Sequence, residues 1–439
     1  MSEKLRETII VDSLNKELLY VAYNFPPFIG AGVARTEQNS QALLKYGWQP
    51  TLLVATAENS EEVDKKYAQM GIKVLRASSV INEGKVRCLP RGTGTDKESF
   101  CTKLKRTFAK WALIPERQVL WKLPAQQLAI KSSHQHKWKC VFSTSPPLTA
   151  GWIGMNIANR LKLPFVLEFR DIISDDFEGG PPTAMHREIA RKIERKVVHS
   201  ASKIIAVSPG IKDWVMDRHK IKSELIEVIP SGYDPKDKES FDALPTTPND
   251  RFTMIYAGAF YRHRKPDTLL KAVKNLIDRG LVPANKLKVV FVSNLMPSVI
   301  SQYQLDNVVE TFAMMPREKV LHLYANSDLL LLICDKCDYQ NVTIPGKIFE
   351  YIMTEKPILG LLGLDSVTAQ IMKELNNSAI ADAEDVEGTT QQLLLLYKQW
   401  ESGKVVTHGK EILEKFNCYG LVKRLALVFD EVCSGNKLN

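Results

Sequence analysis

Long apolar stretches are missing from this 439-residue chain. The longest, Leu329–Cys334 and Ile358–Leu364, fall far short of the roughly 18–20 residues a helix needs to span a bilayer. Cysteine is scarce: seven residues, an odd number scattered along the chain, fit reduced thiols and not a disulfide framework. Glycine and proline, at 23 and 22 residues, are too few for a collagen-like or Pro/Gly-dominated disordered chain. Met1 to Val11 lacks the basic-then-apolar order of a signal sequence, so a cytosolic location is expected. No Asp-x-Asp occurs, and none of the eight histidines forms H-x-x-x-H. Cys334 and Cys337 have C-x-x-C spacing without a second pair, whereas a zinc site needs four ligands. No metal site is therefore expected.

What is present is a moderate excess of positive charge, 59 Lys and Arg against 50 Asp and Glu, and it is uneven. Between Cys101 and Cys140 nine basic residues face one acid, Glu116, with Trp111, Trp121 and Trp138 interleaved. Such a window suits an anionic surface, either lipid headgroups or nucleic acid. It suits equally a solvated helix whose aromatic residues pack inward. No RNP, KH or zinc-finger pattern accompanies it, which argues against nucleic acid.

Short β-rich runs alternate with helical stretches throughout. Leu18–Tyr23, Thr51–Ala55, Lys73–Arg76, Cys140–Ser143, Phe165–Phe169, Lys203–Val207 and Ile226–Ile229 read as strands of a first sheet. Near-continuous apolar runs of this kind belong to parallel strands covered on both faces. The polar stretch Pro230 to Asp250 reads as a linker. A second series follows: Phe252–Ala257, Lys288–Ser293, Val308–Thr311, Asp328–Ile333, Pro357–Leu361 and Ser378–Ala381. The expectation is two doubly wound, Rossmann-like α/β domains facing a cleft, residues 1–232 and 233–410. A single long helix over Glu411 to Val432, within a closing segment 411–439, should return to the first domain.

Ligands in such sheets sit beyond the carboxyl ends of the strands. Three loops there carry chemistry. Gly30-Ala31-Gly32 follows the first strand and precedes a helix, where glycines allow close backbone approach. The pattern is not a full G-x-G-x-x-G, because Arg35 stands third after Gly32, so a plain strand–helix turn is equally compatible. Gly258 opens the second loop, in which Arg262, His263, Arg264 and Lys265 run together at a strand end. That density of cations suits a diphosphate, or else an exposed basic turn. The third, Ile344-Pro345-Gly346-Lys347, opens a helix whose first amides lack intrahelical partners. Lys347 and Glu350 share its face, fit either for phosphate and ribose hydroxyls or for an intrahelical ion pair.

The order of these phrases resembles retaining glycosyltransferases of family four, which have the GT-B fold. The resemblance runs from about Leu18 to Leu425. It rests on Tyr23-Asn24-Phe25-Pro26-Pro27 with its glycine turn and Arg35, on Ser143-Thr144-Ser145-Pro146-Pro147, on Phe169-Arg170-Asp171, and on Ala206-Val207-Ser208-Pro209-Gly210. It continues with Ile344-Pro345-Gly346-Lys347-Ile348-Phe349-Glu350-Tyr351 and Lys356-Pro357-Ile358, a branch marked by the Pro-Gly-Lys phrase. The resemblance implies that Arg264, with neighbours Arg262 and Lys265, meets the donor diphosphate. It implies that Ile344 to Lys347 contact phosphate and that Glu350 binds the donor ribose. The first Glu of the family's E-x7-E motif falls at Val342, a departure. Where many members carry a catalytic-site His this chain reads Glu168-Phe169-Arg170-Asp171, so the resemblance implies that Arg170 or Asp171 takes over the role or that the contact is absent.

The function so implied is metal-independent, retaining sugar transfer from a nucleotide-activated donor, with no cofactor. The first domain would receive a glycan or polyisoprenoid-linked glycan at the inner face of the cytoplasmic membrane, in a bacterial surface-polysaccharide pathway. Gly30, Gly32 and Arg35 would approach the sugar and phosphate, and Arg35 and Arg170 the acceptor. Two other readings fit the same architecture: a sugar-nucleotide 2-epimerase, and a non-catalytic membrane-associated partner in a glycan-assembly complex.

Overall fold

The computed structural model describes residues 16–28, 30–79, 113–172, 183–260, 264–336, 341–403, 407 and 409–435. The chain divides into two compact units. The described residues up to Pro230 join Cys418 onward in the first, and Ser231–Asn417 form the second.

The first unit holds seven parallel strands: β1 Lys16–Val21, β2 Trp48–Ala55, β3 Lys73–Ala77, β4 Trp138–Ser145, β5 Phe165–Phe169, β6 Lys203–Ala206 and β7 Ile226–Val228. Their order is β3-β2-β1-β4-β5-β6-β7. The second holds β8 Phe252–Ala257, β9 Leu287–Val292, β10 Val309–Phe312, β11 Leu329–Ile333, β12 Ile358–Leu362 and β13 Ser378–Asp382, in the order β10-β9-β8-β11-β12-β13. Every expected strand is present. The reason is visible in β11, Leu329–Ile333, whose five residues are all buried: a strand covered on both faces needs apolar residues at every position. Alternate residues feed opposite layers. Leu19, Val21, Val141 and Leu167 pack on one face of the first sheet, and Leu18, Tyr20, Phe142 and Val166 on the other.

Strand order reverses beside β1 in the first sheet and beside β8 in the second. The loops leaving these two strands therefore diverge from their neighbours and open a crevice at the strand ends. The glycine loops follow these two strands.

Two expectations need correction. The stretch Pro230 to Asp250 is not a bare linker: Pro235–Asp242 is a helix, capped by Asp234, whose Oδ1 accepts from Lys236 N at 3.0 Å. The terminal segment is not one helix but two, Lys410–Lys415 and Cys418–Cys433. The break falls where Phe416 O accepts from Tyr233 N (3.0 Å) and Leu413 O from the Tyr233 hydroxyl (3.1 Å). Lys410–Lys415 thus stays with the second unit, and Cys418–Cys433 returns to the first. There Phe429, fully buried, meets Trp48 and Phe142 edge-on at 5.4 and 5.2 Å. Burying such a side chain contributes about 1.5–3 kcal/mol.

Candidate functional site

The second unit gathers its site at the carboxyl ends of β8 and β11. Gly258 follows β8 directly with φ +153°, a conformation that side chains rarely adopt. The Lys347 ammonium lies where a Cβ on Gly258 would be. The same ammonium sits 4.3 Å from the centre of the Tyr256 ring. Tyr256 is held by Phe260, stacked on it at 4.6 Å. Asn294, at the end of β9, fixes the Phe260 backbone by accepting from its N (2.8 Å) and donating to its O (2.9 Å). Arg264, also buried, approaches closely enough to raise the cost of charging Lys347.

Burial, and then Arg264, push the Lys347 ammonium down to about 8. Cys334, at the end of β11, is held in its neutral form by burial, its thiol pushed up to about 11. Among the described residues no carboxylate is ion-paired with Lys347. Two cations kept together in a desolvated crevice, with a neutral thiol between strand ends, make a receptor for a strongly charged anion. The helix Lys347–Thr354 begins there, with Ile348 N bonded to Pro345 O at 3.1 Å and Phe349 N to Gly346 O at 3.3 Å.

Of the expected donor residues, Gly258, Arg264 and Lys347 are thus brought together. Ile344 and Pro345 are half-buried and Gly346 is exposed just before the helix; Lys265 is exposed. Arg262 lies outside the described residues. Glu350 is one turn along from Lys347, and its Oε1 accepts from Arg317 Nε at 2.7 Å. Arg317, Asn294 and the buried Asp335 were not singled out in the sequence, although all three follow strand ends. Applying the strand-end rule to β9, β10 and β11 as well as β8 would have found them.

In the first unit Gly30, with φ +149°, precedes the helix Ala31–Leu43, and its carbonyl accepts from Val33 N and Ala34 N at 3.0 Å. The Arg170 guanidinium occupies the space a Cβ on Gly32 would take. Arg170 Nη2 donates to Pro146 O at 2.5 Å, binding the Ser145-Pro146-Pro147 turn to β5. Burial lowers the Arg170 guanidinium from its usual value, Arg35 adds to the effect, and Glu168 opposes it. Asp171 Oδ1 accepts from Ile172 N at 2.9 Å. Arg76, on β3, holds the preceding loop by donating to Pro26 O at 2.6 Å while paired with Asp64.

Arg35 is a correction. It is 6% exposed, and its guanidinium turns inward. Nη2 and Nε donate to Glu168 Oε1 (2.7 and 3.0 Å), Nη1 to Pro230 O (2.8 Å) and Nη2 to Ile229 O (2.9 Å). Glu168 is fully buried, and its Oε2 accepts from Thr144 Oγ1 at 2.6 Å. With its donors engaged in this network, Arg35 ties the helix Ala31–Leu43 to β5 and to the chain leaving the unit.

The basic window also needs revision. Trp121 is fully buried and meets Tyr23 edge-on at 5.2 Å; Trp138 is buried and stacks on His136 at 5.0 Å. These two aromatic residues are core. Lys122 covers the Trp152 ring at 3.4 Å. Glu116, the one acid, caps the helix Leu148–Leu161, accepting from Thr149 N at 2.7 Å. Lys103, Lys105, Arg106, Lys110 and Trp111 lie outside the described residues. A basic surface missed in the sequence lies on the helix Ala184–Ser200, where Arg191, Lys192, Arg195 and Lys196 are exposed. No helix among the described residues is long and apolar enough to cross a membrane, and no three His, Cys, Asp or Glu side chains among them could hold a metal ion.

Comparison with solved structures places the architecture. Sucrose-phosphate synthase from Thermosynechococcus elongatus superposes with a TM-score of 0.65 at 12% identity, over 96% of this chain and 100% of that one. HepE of Anabaena, solved in complex with UDP, superposes with a TM-score of 0.61 at 13% identity, over 95% and 100%. Among curated proteins, D-inositol 3-phosphate glycosyltransferase 1 of Catenulispora acidiphila is 23% identical over 171 residues. That match spans 36% of this chain and 37% of the relative's length. Residues 40–237 match the family described as Glycosyltransferase Family 4. With two parallel sheets of seven and six strands in these orders, the chain has the GT-B fold, and its residues 40–237 are similar to Glycosyltransferase Family 4.

Proposed function

We propose that the protein is a retaining, metal-independent glycosyltransferase. It moves a sugar from a nucleoside diphosphate donor to a glycan or lipid-linked glycan acceptor in surface-glycoconjugate synthesis. The observation that carries this reading is the Lys347–Arg264 pair against Gly258, a half-buried and a buried cation whose mutual repulsion a diphosphate relieves. HepE, of the same fold, was solved with UDP and with UDP-glucose, which fits such a donor.

In the reaction the bond from the anomeric carbon to the diphosphate oxygen breaks. Arg264 and Lys347, with Arg262 or Lys265, take up the charge that develops on the departing diphosphate. The acceptor oxygen bonds to the same face of the sugar, and its proton passes to a leaving phosphate oxygen, so configuration is kept. Glu350 receives the donor ribose. On the first unit Gly30, Gly32, Arg170 and Asp171 serve the sugar and acceptor, with Arg35 acting from behind them. Positioning and fixed charge supply the rate enhancement.

The direct test is a thermal-shift screen with UDP, GDP, dTDP, ADP and CMP in EDTA, on wild type and Lys347→Ala. A ligand at 100 times its Kd adds about 2.7 kcal/mol of stability. One nucleotide should raise the wild-type melting temperature and leave the variant unmoved. No shift with any nucleotide would count against a donor site.

The acceptor is proposed to lie at an anionic membrane surface, reached through Lys131, Lys137 and Lys139 and the exposed basic face of Ala184–Ser200. Each Lys or Arg near such a surface contributes about 1 kcal/mol. With Trp121 and Trp138 in the core, attraction to headgroups and not insertion of those rings would drive docking. The protein should therefore sediment with phosphatidylglycerol vesicles, less so as salt rises. Equal sedimentation with neutral vesicles, or none with either, would refute the docking.

A further inference from the structure

We infer that Arg317 is the positioning residue that makes Glu350 selective for the donor's ribose hydroxyls. The inference rests on the reading of Glu350 as the ribose acceptor and extends it to a residue outside the motif. Arg317 is the first residue of the helix Arg317–Ala325, which follows β10, and it reaches two carboxylates. Its Nε donates to Glu350 Oε1 at 2.7 Å and its Nη2 to Asp237 Oδ2 at 3.0 Å. Asp237 lies on the helix Pro235–Asp242, so three separate helices meet at one guanidinium.

The geometry is suited to holding a carboxylate for another ligand. A bidentate fork would consume both Glu350 oxygens. Here Arg317 bonds only to Oε1, and among the described residues no other donor is hydrogen-bonded to Glu350. Oε2 keeps its lone pairs for hydroxyl donors. The guanidinium cannot swing away easily, because Asp237 anchors its other edge. The Glu350 side chain is 21% exposed and that of Arg317 51%, so the pair stands at the rim of the crevice where a ligand can reach it. Glu350 is also one helical turn from Lys347. A ligand whose phosphates meet Lys347 can therefore present its vicinal diol to Glu350. Without Arg317, Glu350 would have full rotamer freedom and would approach Lys347, since the two charges already attract.

The test compares Kd for UDP, or whichever nucleoside diphosphate the screen selects, with Kd for its 2′,3′-dideoxy analogue. Hydrogen bonds to a charged carboxylate imply that wild type discriminates by roughly 10- to 100-fold. Arg317→Leu should lower that ratio at least about fivefold, and Arg317→Lys should restore part of it. The ratio isolates the diol. Loss of a positive charge near the phosphates, or general loosening of the fold, weakens both nucleotides alike and cancels. Asp237→Asn should lower the ratio by a smaller factor, and serves if Arg317→Leu does not fold. Glu350→Gln separates the two levels of the argument. If Glu350→Gln keeps wild-type discrimination, the ribose reading fails and this inference falls with it. If Glu350→Gln loses discrimination while Arg317→Leu and Asp237→Asn keep it, the ribose reading stands and the role of Arg317 is refuted.

Discussion

Lys347→Ala and Arg264→Ala are each expected to slow sugar transfer by about 100-fold or more, the loss typical when a fixed donor to a developing anion is removed. The two should not be additive, because each side chain lowers the cost of removing the other. A pH signature separates this role from a structural one. The Lys347 ammonium lies at about 8 in the unliganded protein, so kcat/KM should fall on the alkaline side with a midpoint near there. A bound diphosphate favours the charged form and moves the corresponding limb of kcat upward. Stability runs the other way. A lysine whose folded value is below its unfolded one, about 10.4, opposes folding while charged. Wild type should therefore gain stability as pH rises from about 8 towards 10. Lys347→Met should have that gain already at neutral pH and melt higher than wild type while failing to bind nucleotide. Near-normal transfer by both Lys347→Ala and Arg264→Ala would refute the diphosphate assignment.

Arg35→Leu is expected to destabilise the first unit severely. It leaves the Glu168 carboxylate, fully buried, without its countercharge, and the carbonyls of Ile229 and Pro230 without their donor. Breaking a buried pair from one side costs about 3–5 kcal/mol. In a unit of this size that lowers the unfolding temperature by roughly 6–20 °C. Replacing both partners, Arg35→Leu with Glu168→Leu, removes the stranded charge and should recover more than half of the loss. Calorimetry of wild type, both single variants and the double variant measures the coupling. An Arg35→Leu protein that melts with wild type would return Arg35 to the list of ligand contacts.

The strands were legible because double burial writes itself into sequence as unbroken apolar runs, as in Leu329–Ile333. The cation pair of the second unit was legible for a related reason. Arg264 and Lys347 each follow a Gly or Pro-Gly at a strand or helix junction, where the rule for strand ends applies. Arg35 was misread because a buried arginine and a ligand-binding arginine look alike until the partner is known. Its partner, Glu168, is 133 residues away inside a strand. The strand-end rule reaches the position of Arg317 but not its pairing, since its two carboxylates come from helices on either side of it in sequence. The tryptophans at 121 and 138 misled because interleaving with lysine is shared by lipid-facing and core-facing helices. Only packing against Tyr23 and His136 decides which they are.

The return of Cys418–Cys433 to the first unit also sets the order in which the protein can be completed. Ser231–Asn417 is in effect an insertion between two parts of one core. At synthesis rates of roughly 5–20 residues per second, the second unit emerges for roughly ten to forty seconds before the first can close. Throughout that interval the faces of Trp48 and Phe142 that Phe429 later covers have no partner. The earliest-made sheet is therefore the last to be sealed. The nascent chain carries an open apolar seam that a chaperone, or transient pairing with another chain, would have to shield until the final helix arrives.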